Sequence, residues 1–314
     1  MAEVKKVLAV VGPTASGKTA LSVELCKRFN GEVVSCDSMQ IYKDMHIATA
    51  APDEEEMQGI RHHLIGFVDP CESFNVVRYC ELAHSCIDDI ISRHKTPVIC
   101  GGTGLYFDWL INNIQWTPEN TDSVYRRELE KAASLYGPQV LLDKLFEIDP
   151  ETASTLHINN VGRIIRALEI YKNTGMTMSE NKRLSKSQKS DYKPFIIGLD
   201  SRNRDYLYSR IDNRVDNMIE NGLINEAKNY YEKYNGKTSI QAIGYKELKP
   251  YFDGETSLEK CIEKLKLSTR HYAKRQLTWF RKNSDINFIM IDDYDSFDSL
   301  VDSAIQIIEE ANMF

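Results

Sequence analysis

At 314 residues, the chain is long enough for one large α/β domain or for a core with a smaller lobe. Its 42% hydrophobic and 27% charged residues are ordinary for a globular protein, and no apolar run reaches the roughly 18 residues that span a bilayer. The net charge of −7 argues weakly against nucleic acid, yet a phosphate-rich partner stays open, because positive charge is concentrated locally. Residues 268–282, "STRHYAKRQLTWFRK", hold five Lys/Arg and no Asp or Glu; residues 181–193, "NKRLSKSQKSDYK", hold five against Asp191. Seven cysteines (Cys26, Cys36, Cys71, Cys80, Cys86, Cys100 and Cys261) show no C-x-x-C spacing, and no secretory signal is visible at the N-terminus. Reduced thiols in a cytoplasmic protein are the expectation.

In chain order, a β-rich apolar run predicts a strand at 5–12, followed by a glycine-rich loop. A helix is expected from Lys18–Thr19, with Leu21, Leu25 and Phe29 on its buried face. Further strands are predicted at 32–36, 63–68 and 97–100, with helical patterns between several of them. From about 117 to 190 the strand signal vanishes. "TDSVYRRELEKAASLYGP" opens on Thr121/Asp122 as a cap and stops at Gly137-Pro138, and a second helix runs from about 160 to Gly175. Strands return at 195–199 and 286–291, with helices at about 203–234 and 257–282. This alternation predicts an α/β fold with a parallel sheet, residues 1–116 and 191–314 forming the core and 117–190 an all-helical insertion.

The loop after the first strand carries the chemistry. Gly12-Pro13-Thr14-Ala15-Ser16-Gly17-Lys18-Thr19 matches G-x-x-x-x-G-K-[ST] in full, between a strand and a helix. Glycines let backbone N–H groups close around phosphate oxygens, and the helix N-terminus adds partial positive charge. Lys18 supplies a point charge, and the Thr19 hydroxyl is placed to hold a Mg²⁺ bound to the phosphates. Read alone, this is a nucleotide- and ATP-binding signature. An ATPase, however, needs an Asp after an apolar strand to complete its metal site. "TPVICGGTGLY" ends its strand in Gly101-Gly102-Thr103, without that acid. Asp37, in "VVSCDSMQIY", is the strand-terminal acid near the loop; it reads either as the metal Asp or as a base facing a second substrate. Thr103 follows two glycines that let the backbone approach a ligand closely and expose a hydroxyl.

Two predicted helices carry arginines in step: Arg163 and Arg166 opposite Ile164, Ala167, Leu168 and Tyr171, and Arg210 and Arg214 opposite Leu207, Ile211, Val215 and Met218. Such pairs form solvated faces or, because guanidinium is a planar bidentate donor, clamps for diphosphate or RNA backbone. Arg270, Lys274, Arg275 and Arg281 interleave with His271, Tyr272, Trp279 and Phe280, the composition of a surface where rings stack on unpaired bases. Trp279 and Phe280 read equally as core.

Together, "GPTASGKT", "DSMQIYKDM", "HHLI", "GGTGLY", "RIIRALE", "RIDNRVDNMIENGL", "AIGYKEL" and "TRHYAKRQLTWFR" resemble, in this order and spacing, the tRNA dimethylallyltransferase (tRNA isopentenyltransferase) family of bacterial type, over essentially the whole chain. The resemblance implies a P-loop kinase-like core with a helical insertion that binds the tRNA anticodon stem-loop. It also implies transfer of a dimethylallyl group from dimethylallyl diphosphate to N6 of the adenine 3′ of the anticodon, with Mg²⁺, by a monomer. On that reading residues 12–19 hold the diphosphate with Mg²⁺ at Thr19, Asp37 is the general base, and Asp37, Ser38, Met39 and Gln40 meet the target adenine. Thr103 lies near the reaction centre, and Arg210 or Arg214, which spacing does not separate, binds the diphosphate. Arg126 and the helix start Gly162, Arg163, Ile164, Ile165 and Arg166 contact tRNA, as do Arg270, Lys274 and Arg275. The chain departs from the family pattern at Cys36, His46, Ala48, Ala51, Gly66, Ile158 and Asn160, none of which removes Lys18, Thr19, Asp37 or Thr103.

Three other readings compete with this one. A small-molecule P-loop kinase shares the core, but the acid missing from "VICGG" and the helical insertion disfavour it. An adenylate isopentenyltransferase acting on free nucleotides needs no helical lobe. A non-catalytic RNA-binding relative would not need Asp37 and Lys18.

Overall fold

The computed structural model describes residues 4–112, 114, 123–187, 190–234, 236 and 238–314. Its chain divides into two compact units, Met1–Ile111 with Asp191–Phe314, and Asn112–Ser190. The Thr121/Asp122 cap and the 116/117 boundary expected from the sequence lie outside the described residues.

The first unit is built on six parallel strands, β1 (Lys5–Val11), β2 (Gly31–Ser35), β3 (His62–His63), β4 (Thr96–Gly101), β5 (Tyr192–Asp200) and β6 (Ile286–Met290), in the order β3-β2-β4-β1-β5-β6. Central β1 is buried on both faces, as a parallel sheet covered by helices requires. Its side chains alternate between two cores. Val7, Ala9 and Val11 join Tyr79, Ile87, Phe107 and Phe280 on one face, and Leu8 and Val10 join Leu21, Leu25 and Ile308 on the other. The helix after β1, Lys18–Arg28, therefore covers one face, and the helix after neighbouring β4, Gly104–Ile111, covers the other. Chain leaving adjacent strands toward opposite faces opens a crevice at their carboxyl ends.

Several elements differ from the sequence expectation for local reasons. The run 63–68 is not one strand: Leu64 and Gly66 adopt left-handed φ of 65° and 59°, so pairing stops at His63 and resumes as a single bridge from Val68 to Tyr42. Phe29 caps the first helix half-buried, and Val23 and Cys26 fill the interior beside Leu21 and Leu25. The pattern at 203–234 is two helices, Arg204–Glu220 and Leu223–Lys233, broken at Gly222 with φ 97°. The long helix Leu258–Phe280 packs Cys261, Leu265 and Phe280 into the core with Val7, Ala9 and Val11.

The second unit consists of helices Ser123–Tyr136, Gln139–Ile148, Pro150–Thr155, Val161–Thr174 and Met178–Ser187 around Leu129, Leu141, Leu145, Ile164, Ile165 and Leu168. Gly137 (φ 84°) and Gly175 (φ 70°) sit at the predicted breaks. Tyr171, expected on the apolar side, is 40% exposed; Ile165 and Ile170 point inward instead.

At the amino end of β2, away from the crevice, buried Glu32 accepts from Arg93 Nη2 (2.7 Å), Lys95 Nζ (2.8 Å) and His63 Nε2 (2.8 Å). The hydrogen bond from Arg93 holds this carboxyl well below the usual carboxylate range. Its contribution is therefore complete above the unfolded value of about 4.3 and is lost as pH falls below it. Glu32→Gln should cost about 2–3 kcal/mol at pH 7. Urea midpoints of the two proteins should begin to converge below about pH 5 and go on converging toward the depressed folded value; a gap that stays constant as pH falls would show that the charge is not what stabilises.

Candidate active site

The crevice holds a cavity of about 610 Å³. Its floor is the loop from Gly12 to Thr19. Gly12, at φ 146°, passes so close to β5 that a Cβ would lie 2.6 Å from the Leu199 carbonyl oxygen, and Gly17, at φ 93°, turns the chain into the helix N-terminus. Gly12, Pro13 and Ser16 are buried beneath, Ser16 Oγ donating to Pro13 O at 2.8 Å, while Thr14, Ala15, Gly17, Lys18 and Thr19 face the cavity.

Two arginines of helix Arg204–Glu220 cover the loop. Arg210 Nε donates to Ala15 O at 2.8 Å, and Arg214 Nη1 donates to Thr14 Oγ1 at 3.1 Å. Arg210 is exposed and Arg214 half-buried, so the first holds the rim and the second reaches the interior. Lys18 Nζ donates to Pro13 O at 2.5 Å. Burial lowers the Lys18 ammonium to about 8, Arg214 pushing the same way and Asp37 opposing. Burial likewise lowers Arg214.

Asp37 lines the opposite side, at the end of β2. Its Oδ1 accepts from the backbone N–H of Met39 (2.8 Å) and Gln40 (3.3 Å), a turn that fixes the carboxylate, while Oδ2 has no hydrogen bond to a described residue. Ser38, Met39 and Gln40 also line the cavity. The Gln40 side chain, however, is committed to the protein: Oε1 accepts from Ser35 Oγ, and Nε2 donates to Ala50 O at 3.0 Å. Thr103 joins this side through Ser38, whose N–H donates to Thr103 Oγ1 at 3.1 Å. Gly101 lets β4 pass under Cys36, since a Cβ there would lie 2.1 Å from the Cys36 oxygen.

Of the basic helix, only part faces the cavity. Arg275 lines it; Lys274 is exposed elsewhere, and Arg270 is paired with Asp212 through Nε–Oδ1 (2.9 Å) and Nη2–Oδ2. Its aromatic residues do not form a stacking row. Phe280 is core, and Trp279 donates to Asp108 Oδ2 at 2.9 Å while closing over Gly104. Tyr272 lines the cavity, and burial, with the Asp37 charge adding, pushes its phenol up.

The residues expected at tRNA in the second unit separate by burial. Gly162 and Arg163 are exposed and Arg166 is half-buried, but Ile164 and Ile165 fill the helical core at 0% and 2% exposure. With their side chains in the core, contact at these two positions would fall to the backbone. Arg126 Nε donates to buried Glu169 at 3.1 Å, an internal partner in the same unit.

Sequence reasoning missed Gln276. Buried in the long helix, it accepts from Thr14 N at 2.9 Å and donates to Gly102 O at 3.0 Å, joining the phosphate loop to the glycine turn. It also passed over Asp200, a strand-terminal acid after "FIIGL". Arg281 engages both its oxygens, at 2.8 and 3.0 Å, which removes it from metal binding. Among the described residues no three His, Cys, Asp or Glu side chains cluster as a metal cage. The Thr19 hydroxyl is a hard oxygen donor on the cavity, which fits a Mg²⁺ keeping waters and taking phosphate oxygens from a ligand.

A parallel sheet, a G-x-x-x-x-G-K-T loop at its central strand and cations closing over that loop define an α/β protein of the P-loop type. The model of the family described as IPP transferase matches residues 40–283. The chain is 46% identical over 300 residues to a tRNA dimethylallyltransferase of Caldanaerobacter subterraneus subsp. tengcongensis, covering 94% of this chain and 95% of that protein. It is 48% identical over 292 residues to a tRNA dimethylallyltransferase of Halalkalibacterium halodurans, covering 93% of each. The crystal structure of the full-length tRNA isopentenylpyrophosphate transferase of Bacillus halodurans superposes with a TM-score of 0.73 at 46% identity, over 98% of this chain and 96% of that one. A eukaryotic dimethylallyltransferase acting on tRNA superposes with a TM-score of 0.76 at 34% identity, over 91% and 74%. The chain belongs to the IPP transferase family. It is an enzyme, a prenyltransferase.

An anion bound beside Lys18 raises its pKa again, so binding takes up a proton. Affinity for inorganic diphosphate should therefore be highest below pH 8 and fall above it, by up to about tenfold per pH unit. Calorimetry on wild type and Lys18→Arg from pH 7 to 9.5 cancels the ligand's own ionisation. The arginine variant should show the flatter curve; parallel curves would remove Lys18 as the titrating group.

Proposed function

We propose that this chain transfers a dimethylallyl group from dimethylallyl diphosphate to N6 of the adenine 3′ of the tRNA anticodon, releasing diphosphate. One observation carries the reading: Asp37, a carboxylate with one oxygen not hydrogen-bonded to any described residue, faces a cationic phosphate loop across a single cavity. Such a cavity needs an anion on one side and a proton donor on the other. Family membership supplies the chemistry that joins them.

The loop N–H groups, Lys18, Arg210 and Arg214 receive the diphosphate, and charge that develops on it at departure is stabilised where it forms. Thr19 would hold a Mg²⁺ that neutralises the same oxygens. The exocyclic N6 is a poor nucleophile, because its lone pair is conjugated with the ring. As N6 bonds to the allylic C1, the C1–O bond breaks with its electron pair going to diphosphate, and Asp37 takes the proton that N6 loses. Its turn with Met39 and Gln40 aims the carboxylate before substrate arrives. The adenine leaves the anticodon stack to enter, at a cost of a few kcal/mol. Exposed Arg163, at the start of its helix, offers the helical unit's contact to the anticodon stem.

Asp37→Asn keeps the oxygen that accepts from Met39 and Gln40 but loses the base. Single-turnover transfer from labelled dimethylallyl diphosphate to an anticodon stem-loop should fall by about 100-fold to 10,000-fold, while filter binding of the stem-loop stays unchanged. Near-normal turnover would take the base role from Asp37. Prenylation of free AMP, or phosphate transfer from ATP, in the same assay would replace the reading altogether.

A further inference from the structure

The cavity is not uniform along helix Arg204–Glu220. Arg210, Arg214 and Met218 stand four residues apart and all face it. At 1.5 Å per residue, Met218 lies about 6 Å beyond Arg214, the reach of a four-carbon chain. Past Arg214 the lining brings in Val215, Leu223, Ala242 and Leu265, with Asn217, Gln241 and Lys246 among them.

That end is closed. A Cβ built on Gly244 would lie 3.4 Å from the Ala48 methyl and 3.7 Å from Leu223 Cδ1, so the three residues meet. The Ala48 wall is also held firmly. Glu226 accepts from Ile47 N (2.7 Å) with Oε2 and from Ala48 N (2.9 Å) with Oε1, and Tyr245 OH donates to the same carboxylate at 3.0 Å. On the far side, the Gln40 amide donates to Ala50 O. A wall fastened at both ends does not retreat from a longer ligand.

We propose that this end receives the hydrocarbon tail of the allylic diphosphate, and that Ala48, Met218 and Leu223 limit it to five carbons, with Glu226 as the residue that positions Ala48. The inference rests on the prenyl-transfer reading above. The cationic loop grips the head identically whatever the tail, so discrimination by length falls to this end. One methylene in or out of a close-fitting pocket is worth about 10-fold to 200-fold in kcat/KM.

The test gives wild type, Ala48→Leu and Met218→Ala both dimethylallyl and geranyl diphosphate with an anticodon stem-loop, and measures inorganic diphosphate binding beside them. Ala48→Leu should raise KM for dimethylallyl diphosphate at least about tenfold while inorganic diphosphate binds as before, which also shows the loop is folded. Met218, half-buried, can be cut back without emptying the core; Met218→Ala should raise the geranyl-to-dimethylallyl ratio of kcat/KM at least about tenfold. Equal loss of inorganic diphosphate in Ala48→Leu, or an unmoved ratio in Met218→Ala with the wild type active, overturns the length gauge alone. A wild type that transfers no dimethylallyl group overturns the functional reading and the gauge with it.

Discussion

Two cations placed side by side with little water around them set the terms for this structure. Lys18 and Arg214 each lose hydration; Arg214 also makes the Lys18 charge harder to keep, as Arg210 does that of Arg214. In the protein alone, Lys18 has a loop carbonyl, Pro13 O, as its partner, and Arg214 has a threonine hydroxyl. Neutral oxygens satisfy hydrogen bonds without cancelling charge. A polyanion does both, so the energetics that disfavour the empty arrangement favour a diphosphate strongly. The rest of the site keeps these groups aimed inward: glycines let the loop pass close to β5, Arg210 fastens it from outside, and Gln276 ties it to the turn after β4.

Where negative charge is allowed matters as much. Asp200 ends a strand next to the loop, yet the Arg281 guanidinium neutralises it on both oxygens. Asp37 is held by two backbone N–H groups and has no ion pair with an arginine among the described residues. One strand-terminal acid is thus spent on structure and the other left for chemistry. That division suits a reaction in which the phosphate departs and a proton is collected on the opposite side of the cavity.

What the sequence made legible was whatever is local. The phosphate loop is eight consecutive residues, Asp37 follows its strand directly, and loss of the two-residue period near 117 exposed the helical insertion. Gln276 was invisible because its partner Thr14 is 262 residues away, and glutamine in a helix carries no signal of burial. Ile164 and Ile165 were read with their arginine neighbours as a contact strip, although two adjacent isoleucines on a helix between other helices fill a core. The run 63–68 has strand composition, and only its positive φ angles show why it cannot pair. Arg210 and Arg214, inseparable by spacing, part by exposure once the loop's position is known.

The arrangement also explains why one helical hairpin serves both ends of the cavity. Helix Arg204–Glu220 carries the arginines over the phosphates, and helix Leu223–Lys233 carries Glu226 against the wall at Ala48. They join at Gly222, whose φ of 97° suits glycine and strains other residues. Pairs Arg270–Asp212 and Lys266–Asp216 then fasten the first helix to the long helix that brings Gln276 and Tyr272. Distances between head group, reacting carbon and tail end are therefore set within one rigid frame, not by loops that adjust separately. A ligand of the wrong length must strain the frame or misplace its reacting carbon relative to Asp37, and either penalty falls on the transfer step more than on the grip of the phosphates.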